Sequence, residues 1–192
     1  MGTRNLTMVY KNGEYKVAQY GQFDGYPEGV GATLLNFLKS VNMDAFNKAI
    51  QNVSFHTTKE IDEINKNIDE IRKDIPNYSW KKYYPHLARE CGGDILNQIV
   101  FNGVNKVLND FDFAADSLFC EWAYVIDLDT NKFEVYKGFN QVKLNKNERF
   151  YCLEEKSKNG YHPVKFVKSY DINNLPDENS FIADFKSKDE DE

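Results

Sequence analysis

Residues 6–20, LTMVYKNGEYKVAQY, determine how this chain begins to fold. Residues 6–10 are rich in strand formers, and residues 15–20 provide a second strand. Between them lies Asn12-Gly13, the dipeptide that most strongly favours a two-residue hairpin turn. The chain is therefore predicted to open with an antiparallel hairpin.

The order of the later elements predicts the fold class. Glycine-rich residues 21–31 lead into an amphipathic helix at 32–41, and a second helix is predicted at 44–51. A long apolar helix is predicted over 94–108. A second hairpin joins strands 119–127 and 132–136, and further strands are predicted at 150–153 and 164–167. This order predicts an α+β fold, an antiparallel sheet with helices on at least one face, in a single domain over residues 1–185.

Isoleucines recur at spacings of three and four between Ile61 and Ile75, and the residues between them are charged or Asn. This pattern predicts an amphipathic helix over 61–75, with Thr57 or Thr58 as its cap and Glu60 at the capping-box position. The seam fits either a surface helix packed on the core or a contact in a homo-oligomer. Residues 186–192 are predicted to form an acidic disordered tail.

Composition limits the classes of partner. The net charge of −6 disfavours duplex nucleic acid and anionic membranes, because both need a basic surface. No apolar run approaches the ~20 residues that span a bilayer, and the start has no signal-peptide pattern. Three scattered cysteines fit reduced thiols. We therefore expect a cytoplasmic protein without membrane contact.

The glycine-rich segment before the first helix is the candidate ligand site. Tyr20, Phe23 and Tyr26 offer ring faces for stacking, while Gln22 and Asp24 offer hydrogen-bonding groups. The helix start is expected to present free N–H groups to an anion. Neither a P-loop nor a dinucleotide fingerprint is present, so no cofactor is predicted. The alternative is a structural connector whose tyrosines belong to the core.

The glycines of the same segment, Gly25, Gly29 and Gly31, are expected to permit close backbone approach and positive φ angles.

Arg4 and Arg89 are the candidate phosphate ligands, because a guanidinium binds oxyanions through two parallel hydrogen bonds. Each also fits an ordinary surface residue. Arg89 and a following helix start would lower the pKa of Cys91 and make that thiol reactive. His86 precedes the same helix. The three histidines, His56, His86 and His162, lack metal-ligand spacing, so no metal site is predicted.

The strings MGTRNL at residues 1–6 and QYGQFDGYP at 19–27, with Gly29 and Gly31, resemble a family of uncharacterised proteins found in phages, prophages and some bacteria and fungi. Arg89, Gly92 and the string EWAYVID at 121–127 belong to the same resemblance. Phage kinship implies interference with host defence from the host cytoplasm, for example by capturing a nucleotide immune signal. The layout is also similar to that of N-terminal-nucleophile hydrolases.

These observations predict a protein that binds a small nucleotide-like ligand, with Arg4, Tyr20, Gln22, Asp24, Tyr26 and Arg89 as its ligand-binding residues. A hydrolase is the alternative, either a phosphodiesterase or an amidase. Its acid or base would be Asp24, Glu28 or His86, or its nucleophile would be Thr3 at a processed N-terminus. A third possibility is a protein-interaction module that uses the 61–75 helix.

Overall fold

The computed structural model describes residues 2–186. It opens with the predicted hairpin, in which strands β1 (Asn5–Lys11) and β2 (Glu14–Gly21) pair in antiparallel register. Asn12 and Gly13 have φ angles of 55° and 79°. Two left-handed residues in succession match the right-handed twist of the strands, which explains why Asn and Gly stand there.

Three more strands complete a five-stranded sheet. They are β5 (Trp122–Asp127), β6 (Lys132–Lys137) and β7 (Lys165–Asp171), and the spatial order is β2-β1-β5-β6-β7. All neighbours are antiparallel except β1 and β5, which are parallel. The predicted single-domain α+β fold with a mostly antiparallel sheet is confirmed. The parallel pair at the centre was not expected.

Helices fill the long connection between the two hairpins. They are α1 (Ala32–Ser40), α2 (Met43–Gln51), α3 (Thr58–Asp74), α4 (Trp80–Tyr83) and α5 (Ile95–Asn102). Two short strands in the same stretch, β3 (Ser54–Phe55) and β4 (Lys106–Val107), form a small parallel pair. Helix α6 (Glu178–Ala183) follows the sheet.

Both faces of the sheet are covered. On one face, Val9, Tyr124 and Phe133 pack against side chains of α1, α2, α5 and α6. On the other face, Leu6 and Val125 pack against 3-10 helical turns at Phe111–Ala115 and Tyr151–Lys156. Every residue of β5 is buried. A polar residue in the central strands is therefore exceptional, and several lie near the start of β1.

Helix α3 has the predicted cap and a partly packed seam. Thr57 and Glu60 form the reciprocal capping box at its start. Ile68 is 6% exposed, whereas Ile71 is 37% and Ile75 54% exposed. Only part of the isoleucine seam is therefore packed on the rest of the chain.

Two predicted elements differ in the structure. The helix predicted over 94–108 ends at Asn102, because Gly103 adopts φ 69° and caps it, and Lys106–Val107 then forms β4. The strand predicted at 150–153 is instead the 3-10 turn Tyr151–Lys156. Phe150 and Leu153 are both buried, and a spacing of three places them on one side of such a turn. Residues 187–192 of the expected acidic tail lie outside the described residues.

We predict different costs for two truncations of the α3 seam. Ile68→Ala should lower the free energy of unfolding by about 2–4 kcal/mol, because it leaves a cavity at a buried site. Ile75→Ala should change it by less than about 0.5 kcal/mol, because that side chain is half exposed. Urea denaturation followed by circular dichroism measures both. If both variants lose the same free energy of unfolding, the Ile75 side chain is covered in solution, as a contact in an oligomer requires.

Candidate functional site

The glycine-rich segment is fastened to the start of β1. The Gly25 N–H donates to the Thr3 carbonyl at 3.0 Å, and the Val30 N–H donates to the Asp24 carbonyl at 2.8 Å. The buried Tyr124 hydroxyl donates to the Gly25 carbonyl at 2.8 Å. The segment therefore wraps around Thr3 and is hydrogen-bonded to Tyr124 of strand β5.

The start of α1 does not present free N–H groups, so that expectation was wrong. A π-helical turn, Pro27–Gly31, precedes α1. Within it the N–H groups of Gly29 and Gly31 both donate to the Tyr26 carbonyl, at 3.0 and 3.2 Å. The Ala32 N–H donates to the carbonyls of Gly29 and Pro27. An anion would find these donors already occupied.

Close approach, rather than positive φ, explains the glycines of this segment. A Cβ on Gly25 would lie 2.7 Å from the Thr3 carbonyl oxygen, and one on Gly29 would lie 2.2 Å from that of Asp24. Both neighbours are backbone atoms, which cannot move aside cheaply. The residue with positive φ is Asp24, at 52°. Asp tolerates the left-handed region better than most residues do.

A second segment, some 70 residues further along the chain, closes over the first. The Gln22 N–H donates to the Arg89 carbonyl at 2.9 Å, and residues 92–94 pack against both β1 and β2. Together the two segments enclose a groove of about 380 Å³. Its lining residues are Gly21, Phe23, Asp24, Glu28, Gly29, Val30, Thr33, Glu90, Cys91, Gly92, Gly93 and Asp94.

An unpaired amide oxygen lies beneath the groove. Asn5 is 0% exposed, and its Nδ2 donates to the carbonyls of Gly21 and Phe23 at 3.3 and 3.1 Å. These two acceptors fix the orientation of the amide, so Oδ1 must point away from them. Oδ1 has no hydrogen-bond partner among residues 2–186. It lies 2.6 Å from where a Gly21 Cβ would be and 3.9 Å from where a Gly92 Cβ would be.

The polar strip continues along the same face. Thr7 and Gln19 are paired across β1 and β2 and are 0% and 1% exposed. The Thr7 hydroxyl and Gln19 Oε1 also lack partners within the described part of the chain. Leaving a buried polar group unpaired costs about 1–3 kcal/mol. Thr7 and Gln19 therefore extend the polar strip that begins at Asn5 along this face of the sheet.

Carboxylates surround the groove. Asp24, Glu28, Glu90 and Asp94 all line it. Lys81 donates to Glu90 at 2.6 Å, and this hydrogen bond lowers the pKa of Glu90. The groove itself therefore favours groups that donate hydrogen bonds, such as hydroxyl, amino or ammonium groups, and disfavours an oxyanion within it.

One predicted phosphate ligand, Arg4, lies on the face of the sheet opposite to the groove. Strand alternation places Arg4 and Tyr20 on the opposite face of the sheet from Asn5 and Gly21. The Tyr20 hydroxyl donates to Gln22 Oε1 at 2.6 Å. Burial raises the pKa of Tyr20, and the charges of Arg4 and Arg89 oppose that rise.

The Arg4 guanidinium makes no ion pair in the described residues, but the Arg4 backbone N–H donates to Glu121 Oε1 at 3.3 Å. The Arg4 Cζ lies 4.5 Å from the centroid of the Phe119 ring, and its Nε is buried without a hydrogen-bond partner. Arg89 is 65% exposed and lies 3.5 Å from Glu90. Tyr20 and Arg89 both contact Gln22, while Asp24 lines the groove, and the ligand-binding role of these residues stays a prediction.

The remaining candidates occupy other surroundings. Thr3 is 4% exposed, so its hydroxyl is not presented to a substrate. The Tyr26 ring is 48% exposed but does not line the groove. The His86 ring stacks on His56, with 6.0 Å between ring centroids, and lies outside the groove. Burial lowers the pKa of His86, and the neighbouring His56 lowers it further.

Cys91 is not an activated thiol. Burial raises its pKa to about 12, and Asp94 adds to the rise. Burial therefore outweighs the lowering that Arg89 and a helix start would cause.

Comparison of the chain with protein-family models, curated proteins and solved structures finds no match. The resemblance to the phage-associated family therefore stays a prediction. Within residues 2–186 no helix is long and apolar enough to cross a membrane. The same residues contain no group of three or more His, Cys, Asp or Glu side chains placed to hold a metal ion.

Sequence reasoning missed Asn5, Glu90 and Asp94. The signal for Asn5 was present, since an Asn next to an apolar strand of residues 6–10 is out of place unless its amide has a task. Nothing local identified the two acids, because their position depends on how residues 89–94 fold back onto β1 and β2.

We predict that Gly25→Ala destabilises the protein more than Gly13→Ala. The added methyl group at Gly25 meets backbone at 2.7 Å, and overpacking of this kind costs about 1–3 kcal/mol. At Gly13 the methyl group meets nothing within 4 Å, so only the φ of 79° opposes it, at about 1 kcal/mol. Urea denaturation compares them. A Gly25 variant as stable as the Gly13 variant would contradict the tight wrapping around Thr3.

We also predict selective alkylation of the thiols. At pH 8 a pKa of about 12 leaves roughly one Cys91 side chain in 10⁴ as thiolate, and Cys120 is wholly buried. Iodoacetamide should therefore modify exposed Cys152 and spare the other two until the protein is unfolded. Peptide mapping by mass spectrometry gives the result. Rapid modification of native Cys91 would restore the reactive-thiol hypothesis.

Proposed function

We propose that this protein binds a small nucleotide-like ligand across the groove and the adjoining arginines. The observation that carries the proposal is the unpaired, fully buried Oδ1 of Asn5 beneath Gly21 and Gly92. The atom has no exposed surface while Gly21 and Gly92 are in contact, so a ligand hydroxyl or amino group supplies the missing donor when these two glycines move apart. Neither glycine has a side chain to obstruct that approach.

Charge determines how the ligand lies. The carboxylates of Asp24, Glu28, Glu90 and Asp94 favour ribose hydroxyls or base amino groups within the groove. The carboxylates repel phosphate from the groove. The phosphate instead binds Arg89 and Arg4, outside the groove and past the Gln22–Arg89 hydrogen bond. Arg4 is suited to this task because its guanidinium makes no ion pair in the described residues and its Cζ lies 4.5 Å from the centroid of the Phe119 ring.

The sequence resemblance supplies the biological class. A phage protein that captures a nucleotide immune signal would need this combination of hydrogen-bond acceptors, an exposed ring such as Phe23, and one or two phosphate-binding cations. Phe23 is 45% exposed and lines the groove, so a base can stack on it. Stacking of this type is worth about 1–3 kcal/mol per base.

Hydrolysis of the ligand is the alternative. Asp24 and Glu28 line the groove and are the acids that such a reaction would use, whereas Thr3 and His86 lie outside it. Mass spectrometry of the ligand after incubation and denaturation separates the two activities. Intact ligand means capture, and fragments mean cleavage.

We predict that Arg4→Ala and Asp24→Asn weaken binding without unfolding the protein. Loss of a charge-assisted hydrogen bond should reduce affinity about 10- to 100-fold. Stability should change little, because the stacking of Arg4 on Phe119 is worth only about 0.5–1 kcal/mol. Asn also tolerates the φ of 52° at position 24. Isothermal titration calorimetry against cyclic and ADP-ribose-type nucleotides, together with melting temperatures, measures both effects.

The matched control is Arg72→Ala on α3, which removes another surface arginine whose ion-pair contact is Asp69. It should leave affinity unchanged. No binding across the panel by a folded wild-type protein would refute the proposal. A large fall in melting temperature that accompanies the loss of binding in both variants would assign the segment to the scaffold instead.

A further inference from the structure

A second concave site lies on the other face of the sheet, at the far end of β1. Its volume is about 630 Å³. It contains Tyr10, five residues along β1 from Asn5, which is a separation of about 17 Å in a strand. The other lining residues are Tyr15, Asp127, Glu134, Tyr136, Asn147, Glu148, Arg149 and Phe166.

The charges inside this cavity do not balance. Arg149 donates from Nη2 to Asp127, and its Nε lies 2.8 Å from Glu134 Oε2. The side chains of these three residues are 18%, 3% and 14% exposed. One guanidinium therefore serves two largely buried carboxylates, and Glu148 also lines the cavity, so carboxylates outnumber the cation there. Charges in such a place are screened less by water than charges on an exposed surface.

Aromatic rings form much of the remaining wall. The Tyr136 and Phe166 rings meet edge to face at 5.6 Å, and those of Tyr10 and Tyr15 do so at 5.0 Å. Arg149 already lies over the Tyr10 ring, with its Cζ 5.1 Å from the centroid. A cation is thus already accommodated against one of these rings.

Polar groups in the same cavity extend this pattern. Burial raises the pKa of Tyr15 to about 12, and the neighbouring Arg149 opposes that rise through its charge and a hydrogen bond. The Tyr136 hydroxyl donates to Glu134 at 2.7 Å, so that oxygen already accepts bonds from both Tyr136 and Arg149. An inorganic cation would have to displace these donors to reach the carboxylate. An organic cation need only approach the ring faces.

From this arrangement we propose that the cavity is a binding site for a small organic ammonium ion. The ring faces attract the cation through their quadrupoles, and the excess carboxylate charge attracts it at longer range. Phe166 is 46% exposed, and a ligand in the cavity would cover part of its ring. The alkyl groups of the ligand contact the rings, so a bare ammonium ion is a poor substitute.

The decisive test compares choline with 3,3-dimethyl-1-butanol, its neutral isostere, by NMR titration of the full chain at constant ionic strength. Choline should bind at least about tenfold more tightly, because cation–π contacts favour only the charged member of the pair. Shift changes should centre on Tyr136 and Phe166. Equal affinities would show a merely apolar cavity and overturn the proposal, as would no binding of choline by the folded protein.

Two substitutions of Phe166 distinguish the effect of its aromatic ring from the effect of its size. Phe166→Leu should weaken choline binding about three- to fivefold, since a single exposed cation–π contact is lost. Phe166→Tyr keeps a ring face and should stay within about twofold of the wild type. Equal effects of the two changes would refute a role for the ring. Nucleotide binding at the Asn5 groove should be unchanged in both variants, so the two sites can fail independently.

Discussion

The parallel pairing of β1 with β5 is the constraint on which the rest of the structure depends. It places β1 inside the sheet, with β2 on one side and the central strand β5 on the other. Both faces of β1 are then buried, so Asn5, Thr7 and their neighbours are drawn inside. Residues 21–31 leave β2 beside Thr3 and must wrap around it closely, which explains the glycines at positions where a side chain would meet backbone.

The two hairpins are coupled at their turns as well as through β1 and β5. Asp129, in the second turn, accepts hydrogen bonds from the N–H groups of Asn12 and Gly13 at 2.8 and 2.9 Å. Arg149 joins β5 to β6 through Asp127 and Glu134 and lies over Tyr10 of β1. The sheet is thus held at one end by backbone and ionic contacts. At the other end, around Asn5, it keeps unpaired polar groups.

Local chemistry made part of the fold predictable. Asn12-Gly13 admits few conformations other than a tight hairpin, and Thr57 with Glu60 carries its own capping geometry. Features that depend on distant contacts were not predictable. The β1–β5 pairing joins residues more than 100 positions apart, and the helix predicted to 108 ends early because Gly103 takes a left-handed φ. For the candidate site, the sequence pointed to residues 21–31 and Arg89, whose ligand-binding role stays a prediction. It did not reveal that Asp24 lines the groove whereas Arg4 lies on the opposite face of the sheet. Nor did it reveal that Asn5 lies beneath the groove.

The central claim is that the groove over Asn5 receives a donor group from a nucleotide-like ligand. The most direct measurement is a ¹H–¹⁵N NMR titration with ADP-ribose and with cyclic nucleotides, following the Asn5 side-chain amide and the backbone amides of Gly21 and Gly92. The account predicts that these three signals shift together and saturate with one dissociation constant. Saturable binding that leaves them unmoved, with the shifts elsewhere, would contradict it.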